Sequence, residues 1–343
     1  MKRFDCVVIG GGPGGYVAAV RTSQLGLNTA LVEKEALGGT CLNWGCVPTK
    51  SLLRNAEVIH LLSKGRAFGF SIDNLEVNYA AAHKRSRSVV MRQNRRIGAM
   101  MKNNGITVYE GTARFAGADT LVVEPDGTQL QAKQIIIATG AKSRALPGAA
   151  YDGETIISFR RALELTEVPT SALIVGAGPI GMEFATVWNR YGTKVTVVEL
   201  LSHALPLEDE EISIEAEKQF KKEGIAFKTD ALVETVTPTD DGVEVTVKTG
   251  DDSETLTVDT VLVAIGFVPN TDALELGKAS VDTDRGAITV DETMRTSAGH
   301  IYAIGDVNGK MGLAHVASAQ GMIAAEAIAG KSTAVMRYAD VPR

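Results

Sequence analysis

Cysteine is scarce in this sequence, with three in 343 residues, which excludes the disulfide framework of a secreted mini-fold. Long hydrophobic runs are missing too: none reaches the roughly 18 residues of a membrane span. The N-terminus, "MKRFDCVVIGGGPGG", runs straight into an apolar strand and a glycine loop, with no signal-peptide pattern. Positive charge is not in excess. The net charge of −6 argues against nucleic acid as the main partner. Five histidines form no cluster with ligand spacing, so no metal site is expected. Together these absences point to a cytoplasmic protein that does not cross a membrane. In such a reducing setting a close cysteine pair reads as catalytic or metal-binding rather than as a staple.

Glycine, by contrast, is abundant at 35 residues, without collagen or linker periodicity. The length suggests two or three domains. One local stretch, "HKRSRSVVMRQNRRIGAMMK" (83–102), is strongly basic at helical spacing and reads as a solvated helix face rather than an anion site.

An internal repeat carries most of the information. "CVVIGGGPGGYVAAVRTSQLGLNTALVEKE" near the start is matched by "ALIVGAGPIGMEFATVWNRYGTKVTVVEL" from residue 172. Each copy has an apolar strand, a Gly-x-Gly-x-x-Gly turn, a helical stretch and a second strand ending in glutamate. The glycines are Gly10, Gly12 and Gly15, then Gly176, Gly178 and Gly181; Glu33 and Glu199 each lie 23 residues after the first glycine. In such a turn the first glycine permits a tight bend and the second lets backbone approach a pyrophosphate. The third packs helix on strand, and the acid accepts from a ribose hydroxyl. Each copy continues into alternating strands with Asp126-Gly127 or Asp241-Gly242 turns and a closing strand before Gly140 or Gly266. Two undamaged fingerprints imply two dinucleotides.

No arginine occurs between Arg190 and Arg285. With Glu199 ending its strand, the second site should prefer NAD to NADP, because an acid repels a 2′-phosphate. "IYAIGDV" (301–307) places Asp306 at a strand end before a helix-like segment. A long ribityl chain could use such an acid, and a plain N-cap is the competing reading.

The first copy holds extra material, including "GGTCLNWGCVPTK" (38–50) with Cys41 and Cys46. In an ideal helix, Cα atoms five residues apart lie about 8–9 Å from each other, beyond the roughly 4.4–6.8 Å a disulfide spans. Gly38, Gly39, Gly45 and Pro48 are residues expected where a helix start is bent. Strain of that kind makes a disulfide easier to reduce. Metal binding would need further ligands, and the remaining Cys6 lies in a core strand. Two inert buried cysteines would leave the flanking glycines without a purpose.

"GGTCLNWGCVPTK", both fingerprints, "ATG", "AIGDV" and "LAHVASAQG" together resemble the pyridine nucleotide-disulfide oxidoreductases, from residue 3 to residue 343 and in the family's order. The NAD preference at Glu199 and Ala314-His315 align the chain most with the dihydrolipoamide-oxidising branch. The resemblance implies an α/β protein with two Rossmann-like FAD- and NAD-binding domains, each a parallel sheet with an antiparallel meander. It divides the chain into an FAD domain (1–149) carrying a redox disulfide, an NAD domain (150–270), and a second FAD part with the start of a linker (271–343). Cys41 resembles the thiol that exchanges with a lipoyl dithiol, and Cys46 the one held against the flavin. Lys50 would sit near the flavin and pair with Glu183. Gly10, Gly12, Gly15, Glu33, Thr40, Lys50, Ala113, Gly140, Asp306 and Ala314 would hold FAD. Gly176, Gly178, Gly181, Glu183, Glu199 and Gly266 would hold NAD. His315 would meet the flavin through its backbone rather than act as a base. Implied partners are a lipoyl domain of a 2-oxoacid dehydrogenase or glycine cleavage complex and, for the full-length parent, a second copy in a homodimer.

The family's C-terminal interface domain, which supplies a histidine–glutamate base, has no counterpart before the chain stops at "MRYADVPR", so the chain alone is expected to be impaired. Phe267 and Val268 stand where many relatives carry an arginine. A glutathione- or mercuric-reductase-like activity, and a non-catalytic FAD- and NAD-binding module, are the alternatives. The retained Cys41, Cys46, Lys50 and Glu183 argue against the module.

Overall fold

A computed structural model describes residues 1–332 and 334–342. In chain order it opens with β1 (Lys2–Ile9), α1 (Pro13–Gln24) and β2 (Thr29–Glu33). Helices α2 (Gly39–Trp44), α3 (Cys46–Ser63) and α4 (Tyr79–Asn103) follow. Strands β3 (Thr107–Glu110), β4 (Thr112–Phe115), β5 (Thr120–Glu124), β6 (Thr128–Ile137) and β7 (Ala141–Ser143) come next. After β8 (Ile156–Ile157) and α5 (Phe159–Ala162) the opening motif returns as β9 (Ser171–Val175), α6 (Pro179–Arg190) and β10 (Lys194–Val198). It continues through α7 (Glu210–Lys222), β11 (Ala226–Lys228), β12 (Ala231–Thr239), β13 (Gly242–Thr249), β14 (Asp252–Val258), β15 (Thr260–Val263) and β16 (Phe267–Pro269). The short β17 (Thr283–Asp284) and β18 (Ala287–Ile288), then β19 (Ile301–Ala303) and α8 (Ala314–Ile328), complete the chain. Among the described residues no helix is long and apolar enough to cross a membrane.

The chain forms two compact units. The first comprises residues 1–43, 90–142 and those from 268 onward; the second comprises 44–89 and 143–267.

In the first unit β3, β2, β1, β6 and β19 run parallel, while β4 and β5 extend the sheet beside β6 as an antiparallel meander. Alternation along β1 explains the layering, since successive side chains point to opposite faces. Cys6 and Val8 pack with Ala18 and Ala19 of α1, Met101 of α4 and Ile323 and Ala324 of α8. Val7 and Ile9 face Phe115, Leu121 and Val123 of the meander.

Glycine decides how closely α1 and α8 cross. A Cβ at Gly321 would lie 2.6 Å from the Gly14 carbonyl oxygen, and one at Gly14 would lie 3.0 Å from that of Ala317. An Arg21–Glu326 ion pair of 2.6 Å pins the same crossing. Gly321→Val should therefore cost about 1–3 kcal/mol, the usual range for overpacking, read as a lowered unfolding temperature by circular dichroism.

The second unit repeats this plan. Its sheet, ordered β11-β10-β9-β15-β8, is parallel throughout. Ala172 and Ile174 of β9 pack under Met182, Phe184 and Trp188 of α6. Leu173 and Val175 face Val243, Val245 and Val247 of the β12–β13–β14 meander. Residues 44–89 cluster in this unit as well. The reason is burial: Leu52 and Ala56 of α3 and Tyr79 and Ala82 of α4 complete the α6 side of this core. The basic stretch is helical as expected, with Lys84, Arg85, Arg92, Arg95, Arg96 and Lys102 exposed.

Candidate active site

Two glycine turns of nearly identical geometry head α1 and α6. Gly10 and Gly176 both adopt φ of 102°, a left-handed conformation that costs a side chain dearly. A Cβ at either would also strike the return strand, 2.3 Å from the Ala138 oxygen or 2.6 Å from that of Ala264. Gly15 and Gly181 are held tighter still: a Cβ added there would fall 1.8 Å from the Gly10 oxygen and 2.0 Å from the Gly176 oxygen. The middle glycines differ in kind. A Cβ at Gly12 would meet only Gly39, at 3.8 Å, and one at Gly178 would meet nothing within 4 Å. Both are helix N-caps without a side-chain hydrogen bond, followed by proline. Open space before uncapped N–H groups at a helix N-terminus is what a pyrophosphate requires.

Each terminal acid does more than its sequence position suggests. Glu33 accepts the Gly11 N–H on Oε2 at 2.7 Å and the Glu35 N–H on Oε1 at 2.9 Å. Glu199, 8% exposed, accepts the Ala177 N–H at 2.7 Å and the Leu201 N–H at 3.0 Å in the same pattern. Each carboxylate thus fastens its strand end to its glycine turn. Lone pairs remain on both oxygens for a ribose hydroxyl.

Elsewhere in the first unit, Asp306 lies on a 3-10 turn after β19, and burial pushes its carboxyl upward from the ordinary value. A ribityl diol donating hydrogen bonds there would compensate that burial. Gly140 follows β6 with φ of 67°, and its carbonyl accepts the Asn270 N–H at 2.9 Å. Ala314 is the first residue of α8, Thr40 is exposed on α2, and the His315 ring lies 3.2 Å from the Pro342 carbonyl oxygen. Ala113 is a core residue, 3% exposed and paired with Val123, so only its backbone is left to meet a cofactor. In the second unit Gly266, with φ of 104°, accepts the Arg144 N–H at 3.0 Å.

The glycines before Cys41 now have a physical role. Gly38 adopts φ of 102° and its N–H donates to the Gly11 oxygen at 2.8 Å. A Cβ at Gly39 would lie 2.6 Å from Gly12 Cα. So the cysteine segment packs directly on the first glycine turn. Asn43, 4% exposed, holds it there by donating to the carbonyls of Ala36, Leu37 and Gly39 at 3.0–3.2 Å. Asn94 of α4 donates to Leu37 as well, at 2.5 Å. Sequence reasoning missed both asparagines, and a single amide carries no periodic signal that would have disclosed them. It missed Tyr16 too, whose hydroxyl is pushed upward by burial and, second, by Cys41 nearby.

The helix breaks between the cysteines. Cys41 lies in α2, half-buried; α2 ends at Trp44; and Gly45 (φ −143°, ψ −114°) leaves the helical region before Cys46 starts α3. Cys46 is exposed at the N-terminus of an 18-residue helix whose N-cap makes no side-chain hydrogen bond. That end favours a thiolate. Cys6 is the opposite case, an inert core thiol pushed up to about 12 by full burial. One turn beyond Cys46, on the same helical face, Lys50 Nζ meets Glu183 Oε1 of α6 at 2.5 Å. Trp44 has the guanidinium carbons of Arg87 and Arg160 within 4.9 and 4.6 Å of its ring centroid.

Comparisons with known proteins point one way. The family description "Pyridine nucleotide-disulphide oxidoreductase" matches residues 4–321. The dihydrolipoyl dehydrogenase of Mycobacterium bovis is 48% identical over 338 residues, 97% of this chain and 72% of the relative. That of Chlorobaculum tepidum is 44% identical, over 99% of this chain and 74% of its own. Among solved structures, LpdA of Mycobacterium tuberculosis superimposes with a TM-score of 0.88 at 31% identity, covering 98% of this chain and 74% of its own. The HOCl-induced flavoprotein disulfide reductase RclA of Escherichia coli gives 0.84 at 28% identity, with coverages of 96% and 72%.

Proposed function

Because this chain belongs to the pyridine nucleotide-disulphide oxidoreductases, we propose specific roles for its residues in the reaction of that family's dihydrolipoamide dehydrogenases. The protein is an NAD-dependent flavoprotein disulfide oxidoreductase that uses FAD and NAD(H) and passes electrons from a dithiol to NAD. When bound, FAD would supply the two-electron chemistry that links the cysteines to NAD. The first glycine turn, Glu33, Thr40, Gly140, Asp306 and Ala314, with the Ala113 backbone, hold FAD; the second turn, Glu199 and Gly266 hold NAD. On this reading the first unit's sheet is the FAD domain and the second unit's sheet the NAD domain.

The cysteines do the thiol chemistry. A substrate thiolate attacks Cys41 Sγ, the Cys41–Cys46 bond breaks, and Cys46 leaves as a thiolate. The second substrate thiol then displaces Cys41, so the dithiol becomes a cyclic disulfide and the pair becomes the Cys41 thiol and the Cys46 thiolate, with one proton released. Cys46 at the head of α3, one turn from the Lys50–Glu183 pair, is the observation that carries this assignment. The helix terminus and the ammonium both favour the thiolate that must leave. Glu183, anchored on α6 beside the second glycine turn, in turn fixes where the ammonium sits.

We read the dithiol as a lipoyl arm borne by a 2-oxoacid dehydrogenase or glycine cleavage complex, in the cytoplasm. The test is an assay of NADH formation from dihydrolipoamide, run beside glutathione and with NADP in place of NAD. The expected result is turnover with dihydrolipoamide and NAD, at least tenfold above the NADP rate, since Glu199 presents a carboxylate where a 2′-phosphate would sit. Preference for glutathione or for NADP would overturn the assignment.

A further inference from the structure

Gln320, midway along α8, is fully buried at 0% exposure, and a buried amide is tolerated only when its hydrogen bonds are made. Its Oε1 accepts the Gly305 N–H at 2.6 Å and the Asn308 Nδ2 at 3.0 Å. Its Nε2 donates to the Tyr338 hydroxyl at 3.0 Å. Gly305 and Asn308 are the first and last residues of the 3-10 turn that carries Asp306. One side chain thus locks that turn from both ends. Asn308 tightens it further, donating to the Ala303 oxygen at 3.2 Å and accepting the Lys310 N–H at 3.1 Å. Gly305 sits at φ of 73°, a conformation that a fixed N–H partner helps to hold. Tyr338 belongs to the segment after α8, which touches that helix again where Pro342 meets His315.

We propose that Gln320 is a positioning residue for FAD: its amide sets the Asp306 turn for the ribityl hydroxyls and couples that turn to Tyr338. The inference rests on the reading of Asp306 as a flavin ligand. It adds that FAD affinity depends on two residues that need not touch FAD. It also adds that the 334–342 segment and the flavin report on each other. Linkage is reciprocal: docking Tyr338 tightens FAD, and FAD steadies Tyr338.

The experiment titrates FAD-stripped protein with FAD, following quenching of flavin fluorescence, for Asp306→Asn, Gln320→Met, Tyr338→Phe and the Asp306→Asn/Gln320→Met double variant. Gln320→Met should raise the FAD dissociation constant about tenfold and Tyr338→Phe about threefold, the scale of a lost buried hydrogen bond. Gln320→Met should cost little more once Asp306 is already Asn, because it works through that carboxylate; a merely structural residue would cost the same on both backgrounds. In hydrogen exchange, FAD should protect amides of residues 334–342 in the wild type and not in Tyr338→Phe. Should Gln320→Met not fold, Tyr338→Phe and the exchange pattern carry the test. Unchanged affinity in Asp306→Asn would overturn the reading of Asp306 itself. Weakening there, with Gln320→Met and Tyr338→Phe unaffected or with fully additive costs, would overturn the positioning role alone.

Discussion

Cys46→Ser is expected to lower dihydrolipoamide:NAD turnover by about a thousandfold or more while FAD stays bound. A serine hydroxyl can neither form the disulfide nor leave as an anion near neutral pH, so nucleophilic exchange at Cys41 has no bond to break. Losing a covalent step of this kind costs on the order of 4 kcal/mol or more in the barrier. The companion variant separates the two thiols. Cys41→Ser is equally dead in turnover, but it leaves Cys46 at the start of α3. There the helix terminus and Lys50 keep it as a thiolate. A thiolate against oxidised flavin gives a long-wavelength absorption band. Cys41→Ser should show it without any reductant, and Cys46→Ser should never show it. If the band follows Cys41 instead, the two roles are reversed.

The second large effect divides the glycines of one turn. In Gly15→Ala the new methyl would lie 1.8 Å from the Gly10 oxygen, a backbone atom that cannot swing aside. Relief requires separating α1 from its turn, so the first unit should lose several kcal/mol of stability, on the order of the largest core effects. Purified protein should then carry no FAD. Gly12→Ala adds the same methyl with its nearest neighbour 3.8 Å away. Here the FAD-free protein should melt within a degree or two of wild type. Its FAD affinity should still fall about 100-fold, because the methyl occupies the approach of the pyrophosphate. Gly178→Ala, with no atom within 4 Å, should weaken NADH alone. Circular dichroism melts beside FAD and NADH titrations would measure all three. Equal destabilisation of Gly12→Ala and Gly15→Ala would mean that the middle glycine is there for packing.

The repeat was readable because backbone constraint writes itself into residue type. Only glycine tolerates φ of 102° at Gly10 and Gly176, and only glycine fits where Gly15 and Gly181 press on the turn. The parallel strands were equally plain as apolar runs buried on both faces. The partner of α3 was not. Leu52 and Ala56 would suit any apolar surface, and nothing local selects α6 over the sheet of the first glycine turn. Asn43 and Gln320 were invisible for a related reason. Each serves carbonyls, amides or hydroxyls that the fold alone brings together, and a lone amide leaves no pattern. The glutamates lie between these cases: their positions were legible from the motif, their bonds to the glycine-turn N–H groups were not.

An anaerobic titration of the FAD-loaded protein with NADH tests the central claim most directly. One equivalent of NADH per FAD should bring up the long-wavelength band and expose two new titratable thiols, because the electrons come to rest on Cys41 and Cys46. Bleaching of the flavin with no band and no new thiols would contradict the account, leaving the cysteine pair outside the electron path.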